Sequence, residues 1–241
     1  MSMTKIRPTP STKTRTRGGK RAAVQRRKIQ LRFFVPIFLI LCGSLLVWGL
    51  HRHFFTDAAR IDNPKVEKLS KLKLPSWVDK DIIPKDSDSR RGEYLEDITG
   101  IVVHYVGNPG TSATQNRDYY ANPGTEVNSH FVIGLDGEIV QCLPLEEKSS
   151  ATSERNRDTI SIEVCHPDEG GAFTDKSYAS LLKVTTWLCQ KTGLSPEQVI
   201  RHYDVTGKLC PIYYVQNPEA WHRFQDDLTQ ALSASQNENR K

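Results

Sequence analysis

The chain has 241 residues with 37% hydrophobic side chains, which is enough for one ordinary folded domain with extensions and excludes a fibrous or wholly disordered protein. Its net charge of +5 is unevenly distributed, because residues 1–32 hold 11 of the 33 basic residues and no acidic one. The remainder carries 22 basic against 28 acidic residues. An acidic folded part disfavours a nucleic-acid-binding function, and we expect no nucleic-acid partner.

Residues 33–50 (FFVPIFLILCGSLLVWGL) form an apolar run of 18 residues without a charge. A helix of this length, at 1.5 Å per residue, just crosses a hydrocarbon core about 30 Å thick, so we predict a single N-terminal transmembrane helix. A cleaved signal peptide is the alternative, but the following residues HRHFF offer no small-residue cleavage site. The basic residues before the run predict a cytoplasmic tail over residues 1–32 and an extracellular body, in a single-pass protein of the cell membrane.

A polar, proline-punctuated stretch follows the apolar run and has only a weak apolar pattern. We therefore predict a stalk over residues 51–74 and a folded domain over residues 75–232. From Ser233 the chain is polar again, and we expect a disordered tail over residues 233–241.

Strand patterns dominate the first half of the predicted domain. The run GIVVHYV at residues 100–106 predicts a buried strand, and residues 112–120 favour a short helix. Residues 129–134 and 138–143 flank the dipeptide DG, which is typical of a hairpin with a type I′ turn. The alternating run TISIEVC at residues 159–165 predicts a strand with Ser, Glu and Cys on one face and Ile, Ile and Val on the other.

Helix patterns follow. Apolar residues repeat at helical spacing after Asp175, and Gly193 follows as a terminator. A short turn or helix is predicted from Ser195, with a capping box, and a last amphipathic helix begins at Pro218. The fold class predicted is α/β, with a mixed central β-sheet flanked by helices and preceded by the transmembrane helix.

Histidine and cysteine residues suggest a metal site. His104 lies in the first strand, His130 in the hairpin, and His202 with Cys210 in the segment RHYDVTGKLCP. Catalytic zinc takes three protein ligands and a water, whereas a fourth protein ligand makes a site structural. Spacing alone is a weak signal, because a lone His in a strand is more often a core residue. The residues by themselves do not decide which three of the four would bind.

The remaining cysteines limit the number of disulfides. One of the five, Cys42, lies in the apolar run. If Cys210 binds metal, then Cys142, Cys165 and Cys189 remain, and at most one disulfide can form among them within the chain.

Four segments in order resemble the zinc-dependent N-acetylmuramoyl-L-alanine amidases of the type 2 amidase family, which includes phage lysozyme-like amidases and peptidoglycan recognition proteins. They are GIVVHYVGNPG, VNSHFVIGLDGEIVQCLP, DTISIEVCHPD and IRHYDVTGKLCP. The resemblance covers roughly residues 75–232. It implies one Zn²⁺ cofactor held by His104, His202 and Cys210.

The resemblance also implies roles beside the metal. Glu163, in the S-I-E strand, is similar to the catalytic carboxylate of the family, and Lys208 is similar to its cation beside the metal. His130 looks like a cleft-wall or buried residue, and with Asn156 it is a candidate for substrate binding. Some relatives have a tyrosine directly before this histidine, where this chain has Ser129, which leaves Glu163 as the preferred general base.

The function that the resemblance implies is hydrolysis of peptidoglycan at the amide between N-acetylmuramic acid and L-alanine of the stem peptide. Peptidoglycan or its muropeptides would be the partner, and the membrane would be contacted through the N-terminal helix. Three alternatives stay open: a non-catalytic peptidoglycan receptor on the same fold, a structural zinc domain that binds a protein, and a zinc peptidase acting within the stem peptide.

Overall fold

A six-stranded mixed sheet forms the centre of the computed structural model, which describes residues 61–238. The strands are β1 (Asp79–Lys80), β2 (Gly100–Tyr105), β3 (Phe131–Ile133), β4 (Ile139–Gln141), β5 (Thr159–Val164) and β6 (Val199–Arg201). Their order across the sheet is β1-β4-β3-β5-β2-β6. Neighbours are parallel except for the antiparallel pair β3–β4. The predicted mixed α/β class is therefore confirmed for the described part of the chain.

Helices cover both faces of this sheet. They are α1 (Pro64–Ser70), α2 (Ala113–Ala121), α3 (Asp175–Thr192), α4 (His202–Thr206), α5 (Ile212–Gln216) and α6 (Pro218–Glu238), with short 3₁₀ helices at Ser153–Arg157 and Pro196–Gln198. Ser112 and Gln115 form a capping box at the start of α2. Gly193 ends α3 in the left-handed conformation with φ of 80°, which glycine adopts without steric cost. The helices that the sequence predicts within residues 61–238 are thus confirmed.

The two faces of the sheet bury different side chains. One face packs on α1, α3 and α6, and the alternate residues of β5 that point there are Ile160, Ile162 and Val164. The other face packs near α2, and Cys165 directly after β5 belongs to that smaller cluster. The alternation predicted for this strand is confirmed, and it leaves the side chain of Glu163 on the α2 side of the sheet.

The folded unit includes residues of the predicted stalk. Asn63 caps α1 by accepting a hydrogen bond from the backbone N–H of Lys65. Val66 and Leu69 of α1 are buried in the main core. The weak apolar pattern of this stretch is therefore the buried side of a two-turn helix, and the folded domain begins before residue 75.

The predicted disordered tail also needs correction. Helix α6 continues to Glu238, so most of the segment 233–241 is helical. Leu228 is buried and Leu232 packs against the core, and the residues after them continue the same helix with mostly exposed side chains.

The hairpin between β3 and β4 has a different turn from the predicted type I′. Gly137 has φ of 85°, but Asp136 is not in the left-handed region, because Ser153 is the only non-glycine residue with positive φ in the described part of the chain. The backbone N–H of Gly137 donates to the carbonyl of Gly134 at 3.1 Å. The backbone N–H of Gly134 donates to the carbonyl of Glu138 at 2.9 Å, which leaves three loop residues, 135–137, and a three-residue loop needs only its last residue in the left-handed region.

Two further predictions concern the membrane and the cysteines. Within residues 61–238, no helix is long and apolar enough to cross a membrane, and the predicted span at residues 33–50 lies outside the described residues. Cys142, Cys165, Cys189 and Cys210 are all buried free thiols. The possible disulfide among the first three is therefore absent from this part of the chain.

Candidate active site

Parallel strand register brings the candidate site residues to one edge of the sheet. His104 and Glu163 are the penultimate residues of β2 and β5, and they are direct partners in the parallel register of these strands. His202 directly follows β6, which pairs with β2 on its other side. The carboxyl ends of neighbouring parallel strands meet at the same edge, which is where α/β sheets commonly bind ligands.

Cys210 completes a compact cluster with the two histidines. The potential ligand atoms of His104, His202 and Cys210 all lie within 4.8 Å of one another, and all three residues are buried. The Nδ1 atom of His104 lies 3.8 Å from the Sγ atom of Cys210, and the two imidazole rings have their centroids 4.6 Å apart. The structure therefore brings together the three residues that were expected to hold zinc.

The protonation states of the cluster fit a cation. Burial, followed by the positive charge of neighbouring groups including Lys208, lowers the pKa of His104 well below its ordinary value, and burial likewise lowers the pKa of His202. Both imidazoles are thus neutral, which is the form that binds metal. Neither buried ring nitrogen of His202 has a hydrogen-bond partner, so both retain free bonding capacity.

The thiol of Cys210 points to the same conclusion. Burial, together with the negative charge of Glu163, raises the pKa of this thiol to about 12. A thiolate at this position therefore requires a strong positive charge beside it, and Zn²⁺ deprotonates a coordinating thiol. Two neutral histidines and one cysteine, with no fourth protein ligand in the described cluster, match a catalytic zinc site that keeps one coordination position for water.

Glu163 lies directly beside this cluster. Its Oε1 atom is 3.9 Å from Nδ1 of His104, and its buried Oε2 atom has no hydrogen-bond partner. Burial raises the pKa of this carboxyl to about 8, and the positive charge of Lys208 opposes the shift. A bound cation would lower this pKa towards neutrality, where a general base works best.

A cavity of about 1000 Å³ opens onto the cluster. The three candidate ligands, Glu163 and the exposed Lys208 all line it. Much of the remaining wall carries amide or aromatic side chains: Asn108, Gln115, Asn122, Asn128, Tyr119 and Tyr120. The cavity therefore offers hydrogen-bonding groups and aromatic surface for a polar ligand next to the metal cluster.

The two residues expected to contact substrate lie elsewhere. His130 is fully buried, is not among the residues that line the cavity, and bonds to Ser161 and to the carbonyl of Glu147. Asn156 is also outside the cavity lining, and its Oδ1 atom accepts a hydrogen bond from the backbone N–H of Thr152. The structure thus places neither side chain in the wall of this cavity, and their role in substrate binding stays a prediction.

Two residues at the site were missed in the sequence. The hydroxyl of Thr152 lies 3.1 Å from Nε2 of His104. Tyr120 lines the cavity, and its hydroxyl lies 3.4 Å from Oγ of Ser129. For Tyr120, the only signal in the sequence is its position in the pattern that predicts helix α2. For Thr152 no local pattern indicates a contact with His104, which is 48 residues away in the chain.

Comparison with known proteins gives the family. A family model described as N-acetylmuramoyl-L-alanine amidase matches residues 94–212, a range that contains the metal cluster, Glu163 and Lys208. The matched part of the chain, residues 94–212, belongs to the type 2 amidase family. The resemblance noted in its four segments is thus confirmed.

Several members of this amidase family resemble the chain. The N-acetylmuramoyl-L-alanine amidase CwlL of Bacillus licheniformis is 26% identical over 170 residues, which are 64% of this chain and 47% of that protein. For the amidase BlyA of Bacillus subtilis (strain 168), the identity is 27% over 172 residues, with 63% and 46% covered. The chain thus spans about half the length of the curated relatives it matches.

A solved structure matches the same part of the chain. The catalytic domain of XlyA aligns with a TM-score of 0.55 and 28% sequence identity, covering 63% of this chain and 98% of that domain. The part of this chain that matches its relatives is therefore equivalent in extent to a whole domain of that protein.

Proposed function

We propose that the chain is a zinc-dependent N-acetylmuramoyl-L-alanine amidase that hydrolyses the amide between the lactyl group of N-acetylmuramic acid and L-alanine of the peptidoglycan stem peptide. The observation that carries the proposal is the cluster of His104, His202 and Cys210, whose ligand atoms lie within 4.8 Å at the base of a cavity. Family membership supports the choice of substrate, because the relatives described above are named for this activity.

Glu163 is proposed to handle the proton of the reaction. Zinc, when bound, activates a water molecule and polarises the scissile carbonyl. Glu163 accepts the proton of the attacking water at Oε2, which has no other partner. It then passes this proton to the nitrogen of L-alanine as the carbon–nitrogen bond breaks. The products are a lactyl carboxylate and a stem peptide with a free amine.

Lys208 is proposed to stabilise negative charge on the carbonyl oxygen. Its side chain is exposed at the cavity wall, and its charge acts on His104, His202 and Glu163. A preorganised positive group at such a position stabilises a transition state by about 3 to 4 kcal/mol. The lysine is thus able to act on the substrate without binding the metal.

The geometry disfavours one alternative function. A structural zinc domain needs a fourth protein ligand, and His130 is the histidine that the sequence offers. Both ring nitrogens of His130 are already hydrogen-bonded to Ser161 and to the carbonyl of Glu147. The open three-residue cluster, with Glu163 beside it, instead favours hydrolysis over a purely structural or purely binding role.

The decisive experiment is digestion of purified muropeptides by the zinc-loaded chain, with mass spectrometry of the products. We expect release of intact stem peptides with a free L-alanine amine. New amines within the stem peptide would instead support a zinc peptidase, and binding without any product would support a receptor.

Glu163→Gln is the matched control for this assay, because it is nearly isosteric and cannot accept the proton. We expect turnover to fall by about 10² to 10⁴, with zinc content and peptidoglycan binding kept. If the variant retained most of the wild-type rate, Glu163 would be a structural carboxylate and the proposed base would be wrong.

We also propose that the amidase domain is held on the outer side of the cell membrane by residues 33–50. The support is the uncharged run of 18 residues preceded by 11 basic residues. External protease should digest the domain in intact cells. Protection of the domain, together with digestion of residues 1–32, would overturn this topology.

A further inference from the structure

A buried threonine contacts His104, a candidate metal ligand, at the ring nitrogen that does not face the cluster. Thr152 is 0% exposed, and its hydroxyl lies 3.1 Å from Nε2 of His104. The other ring nitrogen, Nδ1, faces the cluster, at 3.8 Å from Sγ of Cys210 and 3.9 Å from Oε1 of Glu163. The two nitrogens of this imidazole thus have separate partners on opposite sides of the ring.

The loop that carries Thr152 is fixed on both sides of it. On one side, the backbone N–H of Ser150 donates to Oδ1 of Asn128 at 2.8 Å. On the other, Oδ1 of Asn156 accepts from the backbone N–H of Thr152 itself at 2.7 Å. Ser153, directly after Thr152, is the only non-glycine residue with positive φ in residues 61–238. A backbone held in this unfavourable conformation shows that the surrounding contacts determine the loop.

We propose that Thr152 and Asn156 are positioning residues for the metal site. The Thr152 hydroxyl accepts the Nε2–H of His104, which fixes the tautomer so that the lone pair on Nδ1 points at the cation. Asn156 acts one step further away, because its amide oxygen fixes the backbone of Thr152. The inference rests on the zinc site of the proposed function, and it adds two residues that hold no metal and contact no substrate.

Neither residue is placed to act on the substrate directly. Thr152 and Asn156 are both absent from the lining of the cavity. The amide oxygen of Asn156 is engaged by the backbone of Thr152. Their effect must therefore pass through His104, and the orientation of its ring is the quantity that they control.

Two matched pairs of variants test the proposal. Thr152→Val keeps the shape of the side chain and removes the hydroxyl, whereas Thr152→Ser keeps the hydroxyl. Asn156→Ala removes the acceptor, and Asn156→Asp keeps an oxygen at its position. Removing a partner of a ligating histidine typically lowers metal affinity by about 10- to 100-fold. We expect that loss for Thr152→Val, a smaller loss for Asn156→Ala, and near wild-type affinity for the two conservative variants.

The readout is the dissociation constant for Zn²⁺, measured by competition with a chromophoric chelator. The melting temperature of each variant in excess EDTA is measured beside it, because a purely structural role would lower that temperature and leave zinc affinity unchanged. Charge-transfer absorption of the Co²⁺-substituted proteins reports the geometry at Cys210, and we expect the spectrum to change in Thr152→Val and to be restored in Thr152→Ser.

Three outcomes decide the matter. Weaker zinc binding by Thr152→Val and Asn156→Ala, restored in the conservative variants, supports the proposal. If all four variants bind zinc as tightly as the wild-type chain, the proposed positioning role is overturned, and the proposed amidase function is left intact. If the wild-type chain itself binds no zinc, the proposed function fails first. If Thr152→Val does not fold, the half-buried Asn156 pair gives the same test.

Discussion

The catalytic edge of the sheet and the network around His130 are both buried and polar, but they differ in how far their hydrogen bonds are satisfied. At the catalytic edge, both ring nitrogens of His202 and one carboxylate oxygen of Glu163 lack partners. In the His130 network, Nδ1 contacts Ser161 and Nε2 contacts the carbonyl of Glu147. Because buried polar atoms without partners are costly, the first region is built for a ligand and the second for stability.

The His130 network is closed by charge as well as by hydrogen bonds. Glu147 forms a two-point ion pair with Arg90, at 2.6 Å and 2.7 Å, and both side chains are largely buried. The hydroxyl of Ser161 also donates to that of Ser149 at 2.9 Å. This network therefore fixes the start of the loop whose end, at Thr152, contacts the catalytic edge. His202 and His130 are both buried, so burial does not distinguish them. They differ because the ring nitrogens of His202 have no hydrogen-bond partner, whereas both ring nitrogens of His130 have one.

The largest expected effect comes from removing a cysteine at the catalytic edge. Cys210→Ala should lose zinc and all measurable amidase activity, because two histidines alone do not complete the site. Cys189→Ala is the matched control, since Cys189 is also a buried free thiol but lies in α3, outside the cavity lining. Metal content by atomic absorption and turnover on muropeptides measure both variants.

A zinc content near one per chain in Cys210→Ala would show that another ligand replaces the thiolate. Equal loss of zinc in both variants would mean that cysteine removal acts through stability and not through coordination. Either result would contradict the proposed difference between Cys210 as a metal ligand and Cys189 as a core residue.

The next effect concerns stability in acid and tests the His130 network. Burial lowers the pKa of His130 from 6.5 to about 4, although the carbonyl of Glu147 opposes the shift. The unfolded chain therefore binds a proton at this histidine before the folded chain does, and stability falls as the pH drops from 6.5 towards 4. The shift corresponds to ~3 kcal/mol of unfolding free energy.

His130→Gln should remove this part of the acid sensitivity, whatever its stability at neutral pH. Urea unfolding between pH 7 and pH 4, with wild type and variant both treated with chelator, gives the free energy of unfolding of each protein as a function of pH. The slopes of these two plots are then compared. The zinc content of the variant at neutral pH should stay near one per chain. Parallel slopes would show that His130 does not titrate as its burial requires, and loss of zinc would show that it belongs to the metal site.

The sequence predicted the long periodic elements of the fold and the hairpin of the short strands β3 and β4, which is marked by its DG dipeptide, but it missed strands β1 and β6. Helix α3 and strands β2 and β5 have apolar patterns long enough to fix their type. Strands β1 and β6 have two and three residues, and a pattern of period two cannot be recognised over that length. The sequence predicts a stalk where helix α1 lies, because the two buried residues of this helix pack only on distant parts of the chain.

The candidate site was predictable in part for the same reason. Alternation in β5 placed Glu163 on a defined face, and parallel register then brings it beside His104. Which histidines are free to bind metal was not visible, because the partners of His130 come from residues 17 and 31 positions away. The contact between Thr152 and His104 depends on a loop whose path no local pattern records.

The smallest expected effect lies in the hairpin turn, whose glycine does not line the cavity. Gly137 and Gly124 have similar positive φ values of 85° and 78°, and a Cβ atom at either position costs about 1 to 2 kcal/mol in backbone conformation. At Gly137 the new Cβ would also lie 2.9 Å from the backbone carbonyl oxygen of Lys176, whereas at Gly124 it would meet nothing within 4 Å. Urea unfolding should therefore show Gly137→Ala to be less stable than Gly124→Ala by about 1 kcal/mol.

Neither variant should change zinc affinity, because neither glycine lines the cavity. Equal destabilisation would mean that the first turn of α3 moves freely away from the hairpin, and a loss of zinc affinity in Gly137→Ala would mean that the hairpin and the catalytic edge are coupled.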